Sequence, residues 1–143
     1  ALHGACFAAG LINGDELITS PMTFLSSANA ALYLGAQPTF VDIEADTGNI
    51  DNTLIQASIS ENTKVILPVH FGGHPVDLQR IKNIANENEL LVIEDASHAL
   101  GAKYLDTTIG DCRYSDMTVF SFHPVKSITT AEGGAVLTNN KNI

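Results

Sequence analysis

The sequence predicts an α/β fold of three layers, in which helices cover both faces of a mainly parallel sheet. Two observations support this. Short apolar segments alternate with helix-like segments along the chain, and one of them, residues 90–93, is apolar at every position. A strand with one solvated face would show alternating polar residues, so a continuous apolar run indicates a strand covered on both sides. Such strands separated by helices build a parallel sheet with crossover helices.

Composition is that of one soluble unit. The chain has 143 residues, 45% of them hydrophobic, and a chain of this size buries about two thirds of its unfolded surface. Seven basic and sixteen acidic residues give a net charge of −9, which argues against a nucleic-acid partner. No apolar run approaches the ~20 residues of a membrane span, and no signal sequence is recognisable, so we expect a cytoplasmic protein. Cys6 and Cys112 lie far apart in the sequence, without the C-x-x-C spacing typical of metal sites or a pattern typical of disulfides. We expect both to be reduced and buried.

The first elements follow from local patterns. Residues 1–11 are small and apolar, as in a buried helix, and the Asn-Gly pair that follows is the expected stop. Residues 16–19 predict a short strand. Thr23 is then positioned to cap a helix over residues 24–34, which ends at the next glycine.

The middle of the chain continues the alternation. A strand is expected at residues 39–43, after which Asp51 can cap a helix that runs to about residue 60. Residues 64–69 predict the next strand. Asp77 opens an amphipathic helix, whose apolar positions are Leu78, Ile81, Ile84 and Ala85.

A lysine stands between the last two predicted strands. Residues 118–122 are β-branched and aromatic, Pro124 ends that strand, and residues 135–138 form the next. If Lys126 is buried, loss of hydration favours the neutral amine, which can form a Schiff base with carbonyl compounds such as pyridoxal phosphate. The alternative is a lysine on a solvated loop, and this segment alone favours that alternative.

Polar residues follow several strand ends, where ligands bind in sheets of this class. Asp95 ends a fully apolar strand, so its carboxylate needs a partner, which is either a cofactor cation such as a pyridinium or the backbone of the turn at residues 96–99. His98 lies on the same side as Asp95 if that turn is helical. His70 and His74 suggest a metal, but the intervening Phe-Gly-Gly does not favour the helix that would align them, so we predict no metal site.

Three segments carry a family resemblance: EDASHALG (94–101), FSFHPVK (120–126) and TTAEGG (129–134). Their order, spacing and chemistry resemble those of the DegT/DnrJ/EryC1/StrS sugar aminotransferases, and the resemblance extends over essentially the whole chain. It implies the aspartate-aminotransferase type of large domain, with a mainly parallel seven-stranded sheet and a homodimeric assembly. It also implies pyridoxal 5'-phosphate (PLP) as cofactor.

The resemblance also implies a role for five residues. Lys126 matches the lysine that binds the cofactor covalently and moves the proton between substrate and cofactor. Asp95 matches the partner of the pyridinium nitrogen. His98 falls near the ring, Ser121 matches a phosphate-binding serine, and Phe24 falls where a side chain covers the other face of the ring.

The implied reaction is transamination, because a dehydratase branch of the family has histidine in place of this lysine. The triplet at residues 123–125 is similar to that of the pseudaminic acid transaminases, which transfer the amino group of glutamate to C4 of a UDP-linked 4-keto-6-deoxy-N-acetyl hexosamine. The alternative is a catalytically silent member that binds a sugar nucleotide or a regulatory partner. The match covers part of the large domain, residues 1–143, without the C-terminal small domain, so we expect the chain alone to be inactive. A dinucleotide-binding sheet ranks last, because no G-x-G-x-x-G follows a strand.

Overall fold

The computed structural model describes all 143 residues. The helices are α1 (Leu2–Ala8), α2 (Ser26–Leu32), α3 (Asn52–Ile55) and α4 (Leu78–Glu87), with short 3-10 turns at Gln56–Ser58 and Phe71–Gly73. The strands are β1 (Glu16–Thr19), β2 (Gln37–Phe40), β3 (Thr63–Ile66), β4 (Leu91–Asp95), β5 (Lys103–Tyr104), β6 (Thr107–Thr108), β7 (Met117–Ser121) and β8 (Gly134–Leu137).

Six strands form one sheet in the order β2-β1-β3-β4-β7-β8. All neighbours pair in parallel except β7 and β8, which are antiparallel. The predicted mainly parallel sheet is confirmed, and it has six strands where the resemblance implied seven. Strands β5 and β6 make a separate antiparallel hairpin, which the sequence did not predict because each strand is too short to show a pattern.

Successive residues of each central strand enter opposite layers, because side chains alternate across a sheet. Leu17 and Ile93 pack in a cluster of 13 buried residues that also contains residues of α1 and α2. Their neighbours Ile18 and Val92 pack in a second cluster, of 16 buried residues, with residues of α3 and α4. The sheet is therefore covered on both faces, as the apolar run at residues 90–93 predicted.

Several predicted boundaries were wrong. Helix α2 begins at Ser26, and Thr23 does not cap it, because the Thr23 Oγ1 hydrogen bonds with the hydroxyl of Ser27 instead. Helix α1 ends at Ala8 rather than near residue 11. Gly10, with φ of 80°, has the left-handed conformation just after its end. Strand β2 begins two residues and ends three residues earlier than expected, and the helix after Asp51 continues as a 3-10 turn.

The predicted caps at Asp51 and Asp77 are confirmed. The Asp51 carboxylate accepts from the backbone N–H of Thr53 at 2.8 Å, and that of Asp77 accepts from the N–H of Arg80 at 3.2 Å. These bonds satisfy amide groups that have no partner within the helix. The Thr53 hydroxyl and N–H also lower the pKa of the Asp51 carboxyl.

Both cysteines are buried and unpaired, as expected. Burial raises the pKa of the Cys6 thiol to about 12. Burial also raises the pKa of the Cys112 thiol, against hydrogen bonding by Thr118. None of the helices has the length and apolar character that crossing a membrane would need.

Candidate active site

A cavity of about 760 Å³ opens where the central parallel strands end. Residues that follow β1, β3, β4 and β7 line it, as expected for parallel sheets. The five side chains singled out from the sequence all line this one cavity: Phe24, Asp95, His98, Ser121 and Lys126.

Asp95 is the last residue of β4 and is only 4% exposed. Its Oδ2 accepts a hydrogen bond from the Ser27 hydroxyl at 2.8 Å. Its Oδ1 accepts from the Ser97 hydroxyl at 2.6 Å and from the Ser97 backbone N–H at 3.2 Å. The carboxylate therefore does hold the turn that follows, as the structural alternative required, and it also lines the cavity.

Lys126 is half-buried on the loop between β7 and β8, so full burial, which would favour the neutral amine, is not observed. Its backbone N–H donates to the carbonyl of His123 at 2.9 Å. Its Nζ lies 2.7 Å from Nε2 of His98. A lysine ammonium can only donate, so the imidazole nitrogen accepts this bond and holds the amine in the cavity.

Ser121 is the last residue of β7, and Phe24 lies in the segment between β1 and α2. Ser121 is half-buried, and its Oγ accepts a hydrogen bond from the backbone N–H of His123 at 3.4 Å. Its O–H remains available to donate to a ligand. Phe24 is 80% exposed, so its ring can pack against a bound molecule.

A buried polar cluster beside the cavity was missed by the sequence analysis. Glu94 is 2% exposed, and its Oε2 lies 2.8 Å from Nε2 of His70. Its Oε1 accepts from the hydroxyls of Ser115 and Thr118. The other ring nitrogen of His70, Nδ1, accepts from the backbone N–H of Val76 at 3.2 Å. The proton of His70 therefore resides on Nε2 and points at the carboxylate. The only signal in the sequence was an acidic residue directly after the apolar run at residues 90–93.

We name residues 70–75 the wall loop, because His70 and Phe71 line the cavity from this side. The side chain of Asn49 fixes this loop through three hydrogen bonds. The amide oxygen of Asn49 accepts from the N–H of Phe71 at 2.9 Å, and its Nδ2 donates to the carbonyls of His74 and Pro75. No group of three or more His, Cys, Asp or Glu side chains in the chain is arranged to hold a metal, and both ring nitrogens of His70 are already engaged.

The residues of the cavity fit PLP. That cofactor carries an aldehyde, a basic ring nitrogen, a flat aromatic ring and a phosphate. The cavity offers an amine at Lys126, a carboxylate at Asp95, an exposed aromatic ring at Phe24 and a hydroxyl at Ser121. Each group of the cofactor therefore has a chemically suitable side chain within one space.

Comparison with known proteins agrees with this chemistry. The family model described as the DegT/DnrJ/EryC1/StrS aminotransferase family matches residues 1–143. The spore coat polysaccharide biosynthesis protein SpsC of Bacillus subtilis is 42% identical over 143 residues, which are the whole of this chain and 36% of that protein. This chain thus spans little more than a third of the length of such relatives.

Solved structures of aminotransferases share the fold. Spr1654 of Streptococcus pneumoniae, assigned as a sugar aminotransferase, matches in its PLP form with a TM-score of 0.93 and 34% identity, over 100% of this chain and 40% of that one. PseC of Helicobacter pylori, an aminotransferase of pseudaminic acid biosynthesis, matches with a TM-score of 0.88 and 35% identity, over 99% of this chain and 39% of that one. Spr1654 is also known in a form with pyridoxamine phosphate, so the family uses PLP. The chain belongs to the DegT/DnrJ/EryC1/StrS aminotransferase family.

Proposed function

We propose that the protein is a PLP-dependent sugar aminotransferase. In its reaction, the amino group of glutamate is transferred to the C4 keto group of a nucleotide-linked 4-keto-6-deoxy sugar. The observation that carries the proposal is the presence of Lys126 and Asp95 in one cavity of a chain that belongs to an aminotransferase family. A silent binding protein of the same fold would have no need of both groups.

Each cavity residue has a proposed task. Lys126 Nζ would hold the cofactor at its aldehyde and, once released by the incoming amino group, would carry the proton between substrate and cofactor. His98 Nε2 accepts the hydrogen bond of this amine and orients it. Asp95 keeps a proton on the ring nitrogen. When bound, PLP supplies a cationic ring that withdraws the electron pair released at the substrate carbon. Phe24 covers one face of the ring, and Ser121 Oγ donates to the phosphate.

For the substrate, we propose a UDP-linked N-acetyl hexosamine of the pseudaminic acid pathway. Support comes from the triplet at residues 123–125, because His123 and Val125 line the cavity, and from the similarity to PseC. His123 also bonds to Glu132 at 3.0 Å, with both side chains exposed. Their exposure leaves both side chains accessible to a bound sugar.

We also propose a cytoplasmic homodimer. Large apolar side chains are exposed on α1, just before α2 and just after α2, with Phe7 at 71%, Leu25 at 66% and Tyr33 at 67%. Large exposed apolar groups in one region are typical of an interface. Sedimentation of the full-length protein would give twice the chain mass, and a monomer at micromolar concentration would contradict this proposal.

Spectroscopy of the full-length protein tests the enzymatic assignment. With PLP bound, added glutamate converts the visible absorbance of the lysine-bound cofactor to the absorbance of the aminated cofactor. Subsequent addition of a 4-ketosugar nucleotide reverses the change. A spectrum unaffected by glutamate, together with binding of the sugar nucleotide, would instead indicate the silent binding protein. Testing both UDP- and dTDP-linked 4-ketosugars then identifies the substrate.

A further inference from the structure

We propose that the wall loop, residues 70–75, sets the position of His98 and through it the position of Lys126, and that Glu94 is the anchor of this loop. This inference rests on the proposed function, and it assigns Glu94, His70 and Gly73 as positioning residues. None of the three was singled out by the sequence for the reaction.

The anchor is the buried polar cluster around Glu94. Every hydrogen-bonding atom in the pair is committed, because Glu94 receives three donors and His70 donates to Glu94 while accepting from Val76. A buried polar group that loses its partner costs about 1–3 kcal/mol, more when the group is charged. The cluster therefore holds the start of the wall loop in one arrangement. The backbone adds to this, because the N–H of His70 donates to the carbonyl of Asp95 at 3.1 Å.

Gly73 is the point at which the wall loop contacts the turn that carries His98. This glycine has φ of +87°, and a Cβ placed on it would lie 2.7 Å from the carbonyl oxygen of His98. Real Cβ atoms do not approach backbone oxygen so closely, so the loop and the turn carrying His98 are packed backbone against backbone. The ring of His98 then contacts Lys126 Nζ at 2.7 Å. A continuous set of contacts thus runs from Glu94 to the amine.

Two adjacent glycines provide a matched test of the link. Gly72 also has positive φ, +59°, but a Cβ there would meet nothing within 4 Å. In the full-length holoenzyme, we expect Gly73→Ala to lower kcat by about 10- to 100-fold, since misplacement of a reacting group by about 1 Å can cost 10²-fold. Gly72→Ala pays the same kind of backbone cost without touching His98, so we expect its kcat to stay within about twofold of wild type. Equal effects of the two substitutions would overturn the proposal.

The role of Glu94 as anchor is tested by substituting two carboxylates, Glu94 and, as a control, Asp116. Glu94→Gln keeps the shape but replaces one acceptor oxygen by an amide NH2, so the Nε2–H of His70 and the hydroxyls of Ser115 and Thr118 can no longer all donate to residue 94. Asp116→Asn is the control, because Asp116 accepts from the N–H of Val92 at 2.8 Å at the other end of β4, away from the cavity. Both substitutions should lower Tm. Only Glu94→Gln should lower kcat by about 10- to 100-fold.

A second readout uses the cofactor-free protein. The rate at which an acylating reagent modifies Lys126, followed by mass spectrometry, should change in Gly73→Ala and Glu94→Gln but not in Gly72→Ala or Asp116→Asn. Nitrogen NMR of His70 should show the proton on Nε2. If wild-type protein does not bind PLP, the proposed function fails, while these two measurements still decide the positioning. Unchanged Lys126 reactivity in Gly73→Ala would reject it even if Glu94→Gln failed to fold.

Discussion

Asp95 shows how one side chain can satisfy two interpretations of a sequence. Its oxygens accept from Ser27, 68 positions away, and from Ser97, two positions away. These three hydrogen bonds hold the carboxylate in one orientation at the cavity. Each carboxylate oxygen can accept more than one hydrogen bond, so a ligand N–H is still accommodated. Holding the turn and facing a cofactor are therefore compatible tasks.

Replacing Asp95 by Asn separates charge from shape. Asn keeps an oxygen for Ser97 but cannot hold a proton on the ring nitrogen of the cofactor. We therefore expect Asp95→Asn to lower kcat by about 10²-fold or more, with a much smaller change in PLP affinity. Steady-state kinetics and a PLP titration measure the two quantities. Ser97→Ala, which removes one hydrogen bond but keeps the charge, is the control and should lower kcat far less. Equal losses of affinity and kcat in Asp95→Asn would indicate a structural carboxylate.

At the scale of elements, the sequence predicted what local patterns decide. The strand β4 was predictable because residues 90–93 are all apolar, and the cap of α4 because Asp77 precedes a periodic helix. Thr23 was predicted to cap α2 for the same local reason, and this was wrong. Its hydroxyl bonds to Ser27, whose own hydroxyl bonds to Asp95. A long-range contact therefore overrode the local preference, which no reading of residues 20–30 alone could reveal.

The cap of α4 gives a prediction at this scale. Asp77 accepts from the N–H of Arg80 and from the hydroxyl of Tyr104 at 2.6 Å, so it joins the helix to the β5–β6 hairpin. We expect Asp77→Ala to lower the free energy of unfolding by about 1–2 kcal/mol, since loss of a helix cap costs roughly that much. Urea denaturation measures it. Asp46→Ala, at an exposed loop position, should leave the urea midpoint unchanged.

In the candidate site, the sequence brought out the residues with distinctive chemistry but not those that hold them. Lys126 and Asp95 attract attention as charges beside strands. The 2.7 Å contact of Lys126 with His98 joins residues 28 positions apart, and Asn49 reaches Phe71 across 22. These pairs depend on which strands are neighbours in the sheet. Glu94 was hidden because it reads as the polar end of a strand.

For the whole molecule, the burial of Cys6 between the helices and the sheet makes the free energy of unfolding depend on pH in the alkaline range. Cys6 lies in the layer of α1 and α2 with no exposed surface, and its pKa is about 12 against an ordinary value near 9. The folded state therefore favours the neutral thiol. Its contribution to stability is complete below about pH 9 and is lost as pH rises towards 12.

We expect the free energy of unfolding to fall with rising pH above 9, with Cys6 contributing up to about 1.4 kcal/mol per pH unit. Cys6→Ala should flatten this dependence, although it lowers stability at neutral pH through the smaller side chain. Urea denaturation at several pH values between 8 and 11 measures the slope. Parallel curves for wild type and Cys6→Ala would show that this thiol does not titrate with unfolding.

The central claim for the whole molecule is that the parallel sheet brings the amine of residue 126 to the place where a carbonyl cofactor binds. Borohydride reduction of the full-length protein with PLP, followed by peptide mapping, tests it most directly. We predict a single pyridoxyl group on Lys126 and none in Lys126→Ala, because no other lysine lines the cavity. A pyridoxyl group on Lys64 or Lys103 instead would contradict the account.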